Sequence, residues 1–196
     1  DTFGIGEKYF SEISLEIRKK WSRNWSSIFY YVNQSYNKRY IEETFGNVET
    51  DIFVGSCPAS PIDIDRLAGG MKVTAILCLQ SDKDFETYHL PINKIREACL
   101  QQGVEWVQCP VIDFDPDDMA RSIKVPVDAL NGLLSAGKRV YVHCTAGICR
   151  APGTVVGYLH KYRGMSLEGA LELVKLNRTI ANPYMEALKI AFNQED

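Results

Sequence analysis

The run Val140-Tyr141-Val142-His143-Cys144-Thr145-Ala146-Gly147-Ile148-Cys149-Arg150 contains the residue types that a sulfur nucleophile needs to hydrolyse a phosphate ester. Its apolar opening predicts a strand that delivers His143 and Cys144 into a short turn. The turn closes on Arg150, and a helix-like segment, Ala151 to Tyr162, follows at once. A loop that feeds a helix N-terminus turns unpaired backbone N–H groups toward one point, and the helix dipole adds partial positive charge there. A tetrahedral dianion is a natural guest at such a point, so Thr145, Ala146, Gly147, Ile148, Cys149 and Arg150 are expected to bind phosphate. The same field favours an anionic sulfur at Cys144. Arg150 offers a planar fork that can hold two phosphoryl oxygens at once, which a lysine ammonium cannot imitate. Gly147 is expected to let the backbone approach the anion with no Cβ in the way. His143 is expected to orient the loop rather than to transfer protons.

Expelling an alkoxide at neutral pH also needs a proton donor. The candidates lie in the acidic stretch Asp113-Phe114-Asp115-Pro116-Asp117-Asp118. Chemistry alone accepts Asp113 or Asp115. Asp117 and Asp118 are expected to cap the helix that follows.

With these residues in view, the chain from about Asp51 to Arg178 resembles the cysteine-dependent dual-specificity phosphatases. Within them it resembles the plant type of glucan phosphatase, related to laforin. The resemblance rests on Asp51-Ile-Phe-Val-Gly-Ser-Cys57, Ile76-Leu-Cys-Leu-Gln-Ser-Asp82, Asp113-Phe-Asp115 and His143-Cys-Thr-Ala-Gly-x-x-Arg-Ala-Pro152. Ala151 stands where most dual-specificity enzymes carry a hydroxyl residue, and the glucan-directed members share that alanine; Cys149 departs from the usual glycine. The resemblance implies an α/β fold, a central mostly parallel sheet flanked by helices. It places the general acid at Asp113 and implies a phosphorylated starch- or glycogen-like glucan as substrate. It also has Phe114 present a ring to the glucan chain. Where relatives place two adjacent aromatics, Thr87-Tyr88 keeps only Tyr88, and Phe85 is the nearby ring that would compensate. No cofactor and no metal are implied. Two rival readings remain: a phosphatase of phosphotyrosine or phosphothreonine proteins, and a glucan-binding scaffold that has lost turnover.

The elements that must position these residues are legible as alternation. Strands are expected at Ile52–Val54, Val73–Leu79, Val104–Val111 and Val140–His143. Helices are expected at Ile62–Leu67, Pro91–Gln102, Val125–Leu134, Ala151–Tyr162, Ser166–Leu176 and Pro183–Phe192. Cys78 would then end a strand beside the catalytic one, within disulfide range of Cys144, which makes it the redox candidate. Residues 7–45 read as helical and rich in aromatics, with Trp21, Trp25, Phe29, Tyr30, Tyr31, Tyr36 and Tyr40. The expected division is an N-terminal helical segment at 1–48 and a catalytic domain at 49–196.

Composition fits a globular chain of this kind, with 196 residues, 45% hydrophobic and 24% charged. A net charge of −3 argues against nucleic acid or an anionic membrane as partner. The six cysteines show neither metal-ligand spacing nor a small-domain disulfide framework, which favours a reducing compartment. The resemblance points to a plastid in a plant or alga, and to the cytoplasm otherwise.

Overall fold

The computed structural model describes residues 30–31 and 51–192. Its strands are β1 (Tyr30–Tyr31), β2 (Ile52–Gly55), β3 (Ala75–Cys78), β4 (Glu105–Gln108) and β5 (Val140–His143). The described helices are α1 (Pro61–Met71), α2 (Asp82–Thr87), α3 (Ile92–Gln101), α4 (Pro116–Ser122), α5 (Lys124–Ser135), α6 (Arg150–Arg163), α7 (Leu167–Asn177) and α8 (Met185–Phe192). The sheet order is β1-β2-β5-β3-β4. β2, β5, β3 and β4 run parallel, and β1 pairs antiparallel with β2.

The strand sequences explain why helices cover both faces. In β5, Val140 and Val142 point into one core while Tyr141 points into the other; Ile52 and Val54 alternate with Phe53, and Ala75 and Leu77 with Ile76. Phe53, Ile76 and Tyr141 pack with Ile64 and Leu67 of α1 and Ile95, Ala98 and Cys99 of α3. The opposite face takes α4 through α8, including Met119, Leu130, Val155, Leu173 and Leu188. A strand apolar on both faces is buried on both, which is the rule for parallel sheets.

Several expectations need correction. Tyr30–Tyr31 is a strand inside the segment read as helical, pairing Tyr30 with Val54 and Tyr31 with Phe53; adjacent tyrosines suit an edge strand as readily as a helix face. Trp21, Trp25, Phe29, Tyr36 and Tyr40 lie outside the described residues. The second and third expected strands are trimmed to Ala75–Cys78 and Glu105–Gln108, the apolar residues beyond them being buried loop. Two short helices, α2 and α4, were not legible as helices, because six or seven residues show too little period. Each is set by its N-terminus instead. Ser81 and Asp84 form a capping box on α2, and Asp115 caps α4 ahead of Pro116. The cap is therefore Asp115 rather than Asp117 or Asp118, which fall inside the first turn.

One close approach fixes the end of β2. The Tyr141 hydroxyl donates to the Ser56 carbonyl at 2.6 Å, and a Cβ on Gly55 would lie 2.0 Å from that oxygen. Gly55→Ala is expected to destabilise the chain by about 1–3 kcal/mol through overpacking. In a Tyr141→Phe background the same change should cost measurably less, because the colliding oxygen is gone. Urea unfolding midpoints of the four proteins check both statements.

Candidate active site

His143 lies opposite Gly55 on one side and Cys78 on the other, so the chain leaves the sheet at Cys144 from the carboxyl end of a central strand. Ligands bind at that end in open α/β sheets. Cys144 is 3% exposed, and Arg150 opens α6 immediately after the loop. Gly147 has φ +66°, and a Cβ there would lie 2.4 Å from the carbonyl of Gly55. The glycine is thus needed for its left-handed backbone and for the contact with Gly55, rather than to clear a path for the anion.

Arg150 is buried, and its guanidinium is held on nearly every side. Nη1 donates to Asp84 Oδ2 at 3.0 Å, to the Val111 carbonyl at 2.9 Å and to the Leu79 carbonyl at 3.4 Å. Nη2 donates to Asp113 Oδ2 at 2.6 Å and to Thr145 Oγ1 at 2.9 Å. The buried Nε has no acceptor among the described residues. Burial alone would pull the guanidinium toward neutrality, but its coupling to Cys144, Asp113 and Asp84 outweighs that and raises its pKa. A permanent cation therefore lies within electrostatic reach of the sulfur.

Asp113 lies against the Arg150 guanidinium, and its environment suits a proton donor. Burial raises its pKa, Arg150 opposes that, and the like charge of Asp84 adds to it. Asp115 is committed elsewhere, accepting from the Asp118 N–H at 2.8 Å as the cap of α4. Asp118 Oδ2 in turn accepts from the Ile112 N–H at 2.8 Å, which ties down the loop that carries Asp113. The two carboxylates that chemistry left open are thus separated by their hydrogen bonds.

His143 is fully buried, and desolvation lowers its pKa to about 4, so it is neutral at pH 7. Its Nδ1 lies 3.1 Å from the Cys144 carbonyl, and its ring stacks with Tyr141 at 5.9 Å between centroids. A neutral imidazole donating to that carbonyl can fix the turn at the cysteine.

The expected rings divide. Phe114 is 41% exposed and stands beside Asp113 with φ +58°. Tyr88 is half-buried at the end of α2, its phenol pKa raised by burial and further by coupling to Asp113 and Asp84. Phe85 does not serve as a platform: it is 6% exposed, its ring covered by the Arg96 guanidinium 6.0 Å away. On a short helix whose Asp84 turns inward, the next residue turns inward too.

Cys78 is buried at the end of β3, and burial pushes its thiol up, with a smaller push from Cys144. Cys149 is pushed up to about 12 by burial, with its sulfur hydrogen-bonded to the Tyr184 backbone. Among the described residues all the cysteines are free thiols, and none of the groups of acidic, His or Cys side chains could hold a metal ion.

Four contributors escaped the sequence reading. Asp84, not singled out from the sequence, accepts from Arg150 Nη1, and its capping-box spacing to Ser81 is the available signal. Gln80 donates through Nε2 to Thr145 Oγ1 at 3.1 Å. Tyr184, just before α8, is half-buried, its phenol pKa raised mainly by burial and further by coupling to Cys149 and Asp113. Arg178 grips the loop from behind. The last two lie far along the chain, and only the fold brings them in.

Comparison with known proteins agrees with this arrangement. The family model described as dual specificity phosphatase, catalytic domain, matches residues 69–193. A second model, of a family of unknown function, matches residues 1–57. The chain is 34% identical over 146 residues to the amyloplastic phosphoglucan phosphatase DSP4 of Castanea sativa, covering 74% of this chain and 38% of that one. It is 30% identical over 130 residues to the chloroplastic phosphoglucan phosphatase LSF1 of Arabidopsis thaliana (66% and 22% covered). With laforin of Mus musculus it shares 25% over 162 residues (78% and 48%). The chain thus spans between 22% and 48% of the length of these relatives. Among solved structures, kinase associated phosphatase superposes with a TM-score of 0.66 at 15% identity, over 86% of this chain and 93% of that one, a likeness of fold. A mutant form of Tk-PTP gives 0.61 at 25% identity (76% and 93%). The chain belongs to the dual specificity phosphatase family, through a catalytic domain that fills most of its length.

Proposed function

We propose that the protein removes phosphate monoesters from a starch- or glycogen-like glucan through a phosphocysteine intermediate. The observation that carries this reading is the Arg150 Nε, a buried N–H with no acceptor among the described residues, on a guanidinium electrostatically coupled to Cys144. Leaving such a donor unsatisfied costs about 1–3 kcal/mol, which a phosphoryl oxygen accepting from it recovers. The Cys144 thiolate attacks phosphorus in line, forming the S–P bond as the ester P–O bond breaks. The loop N–H groups and Arg150 hold the phosphoryl oxygens. When a phosphoryl oxygen takes over Nη2, the Asp113 carboxyl is displaced toward the leaving oxygen and protonates it. Asp113 then takes a proton from the water that breaks the S–P bond.

The glucan part of the reading rests on the rim and on the named relatives. Phe114 is exposed beside Asp113, and the phenols of Tyr88 and Tyr184 are each coupled to Asp113 and Arg150. Aromatic rings of this kind suit a neutral polymer with apolar sugar faces. The two plant relatives are described as phosphoglucan phosphatases of the amyloplast and chloroplast; a plastid location follows where the source is photosynthetic. No helix among the described residues is long and apolar enough to cross a membrane. A phosphoprotein substrate is the competing reading, because the catalytic groups are indifferent to the leaving alcohol.

Cys78 is the proposed resolving thiol. Hydrogen peroxide would convert the Cys144 thiolate to a sulfenic acid, and the neutral Cys78 thiol would condense with it, releasing water and forming a disulfide.

Cys144→Ser is expected to abolish phosphate release from solubilised phosphorylated starch while glucan binding persists. Cleavage of a phosphotyrosyl peptide with starch left untouched would favour the protein-phosphatase reading instead. With glucan, kcat should fall as pH rises through the raised pKa of Asp113, because the acid form is the active one. Asp113→Asn should remove that limb and lower kcat by about 10²–10⁴. With p-nitrophenyl phosphate, whose leaving group needs no proton, the loss should be much smaller. Phe114→Ala and Tyr184→Ala should each raise KM for glucan by about tenfold, the equivalent of about 1.4 kcal/mol, with p-nitrophenyl phosphate kinetics nearly unchanged.

A further inference from the structure

The catalytic loop has four consecutive carbonyls, and each meets a donor that belongs to another part of the chain. The Cys57 N–H reaches the Thr145 carbonyl at 3.0 Å, and the Asn182 N–H reaches that of Ile148 at 2.7 Å. Between them, Arg178 donates through Nη2 to the Ala146 carbonyl at 2.9 Å and through Nε to the Gly147 carbonyl. In a trans peptide the N–H points opposite to the C=O, and no described peptide is cis. Holding these four carbonyls outward therefore turns the N–H groups of Ala146, Gly147, Ile148 and Cys149 to the opposite side of the loop. Successive N–H groups facing one point form an anion-binding nest.

Arg178 does half of this with one side chain. It lies at the C-terminal cap of α7 and is 3% exposed. Its Nη2 would be 2.8 Å from a Cβ on Gly147, so the glycine admits the guanidinium as well as the Gly55 backbone. Its charge reaches the Tyr141 phenol, which also faces the end of β2. The other two of the four carbonyls are held by the backbone N–H groups of Cys57 and Asn182, which side-chain truncation leaves in place; Arg178 is the part that such a change removes.

We infer that Arg178 is a positioning residue for phosphoryl binding, pinning the two middle carbonyls of the loop so that the N–H groups between Thr145 and Arg150 converge on the anion. This rests on the reading of that loop as the phosphoryl site, and it adds a second buried cation behind it. The planar fork is essential to the role, because two carbonyls at adjacent positions need two donors in fixed relation. An ammonium on a flexible stem supplies the charge without the geometry.

The test uses Arg178→Met, which keeps much of the stem, Arg178→Lys, which keeps the charge, and Arg178→Ala, which leaves a guanidinium-sized gap. The first readout is the inorganic phosphate concentration that half-protects Cys144 from alkylation by iodoacetamide, which needs no turnover. It should rise about tenfold in Arg178→Met, with Arg178→Lys nearer to Met than to wild type. The second is kcat/KM on p-nitrophenyl phosphate, expected to fall about 100-fold, the scale of losing one oxyanion donor. The third is partial recovery of Arg178→Ala on adding methylguanidinium, which a generally weakened fold would not show. Binding of unphosphorylated glucan should stay at the wild-type level and reports folding; if Arg178→Met does not fold, Arg178→Lys carries the measurement. Phosphate protection and kcat/KM within twofold of wild type in a folded variant would overturn the inference. Wild type that is protected by phosphate yet releases none from starch would sink the glucan reading and leave this one standing.

Discussion

A buried guanidinium is the constraint around which this site is built. Arg150 cannot shed its charge, so every group near it must be arranged to tolerate a cation at 2% exposure. The protein supplies two carboxylates, two backbone carbonyls and a hydroxyl, drawn from the end of β3, from α2, from the segment after β4 and from the catalytic loop. Those segments are distant in sequence and are gathered by one side chain. Removing a partner from such a network leaves an uncompensated buried charge, a penalty larger than any single bond's net worth. The same network leaves one N–H without an acceptor among the described residues. Folding and phosphoryl recognition therefore depend on the same arginine.

The two anionic partners of Arg150 have different duties because their surroundings differ. Asp84 also accepts from the Ser81 backbone N–H at 2.7 Å and the Ser81 hydroxyl at 2.9 Å, so it is fixed from two sides. Asp113 has, among the described residues, only the Phe114 N–H besides the arginine, and is the more accessible of the two. One is a strut and the other is free enough to change partners. The rings follow the same logic: Phe85 is turned into the protein by the helix that carries Asp84, while Phe114 is turned outward by its left-handed backbone.

The chemistry was the most legible part of the sequence, because it is compressed into one stretch. A nucleophile, its loop and its arginine are neighbours along the chain, and strand-loop-helix order alone nearly dictates their geometry. The central strands were equally legible, since each is apolar on both faces. What escaped was whatever the fold assembles from afar. Tyr184 and Arg178 follow α7 and carry no local signal; Asp84 had one, but its meaning needed the position of Arg150. The reading of Phe85 failed because a six-residue helix has too few turns to reveal which face is buried. The two-tyrosine strand β1 failed for a related reason, since pairing with β2 decided its conformation where local preference did not.

Helix α6 has one more consequence. Every residue from Arg150 to Leu159 is buried, so the shaft behind the anion loop is sheathed in hydrocarbon rather than bathed in electrolyte. Mobile ions screen charges they can surround, over about 8 Å at physiological ionic strength, and here they cannot reach the dipole along its flanks. The field at the loop should consequently hold its strength in a concentrated, salt-rich milieu, where attraction steered by surface charges would fade.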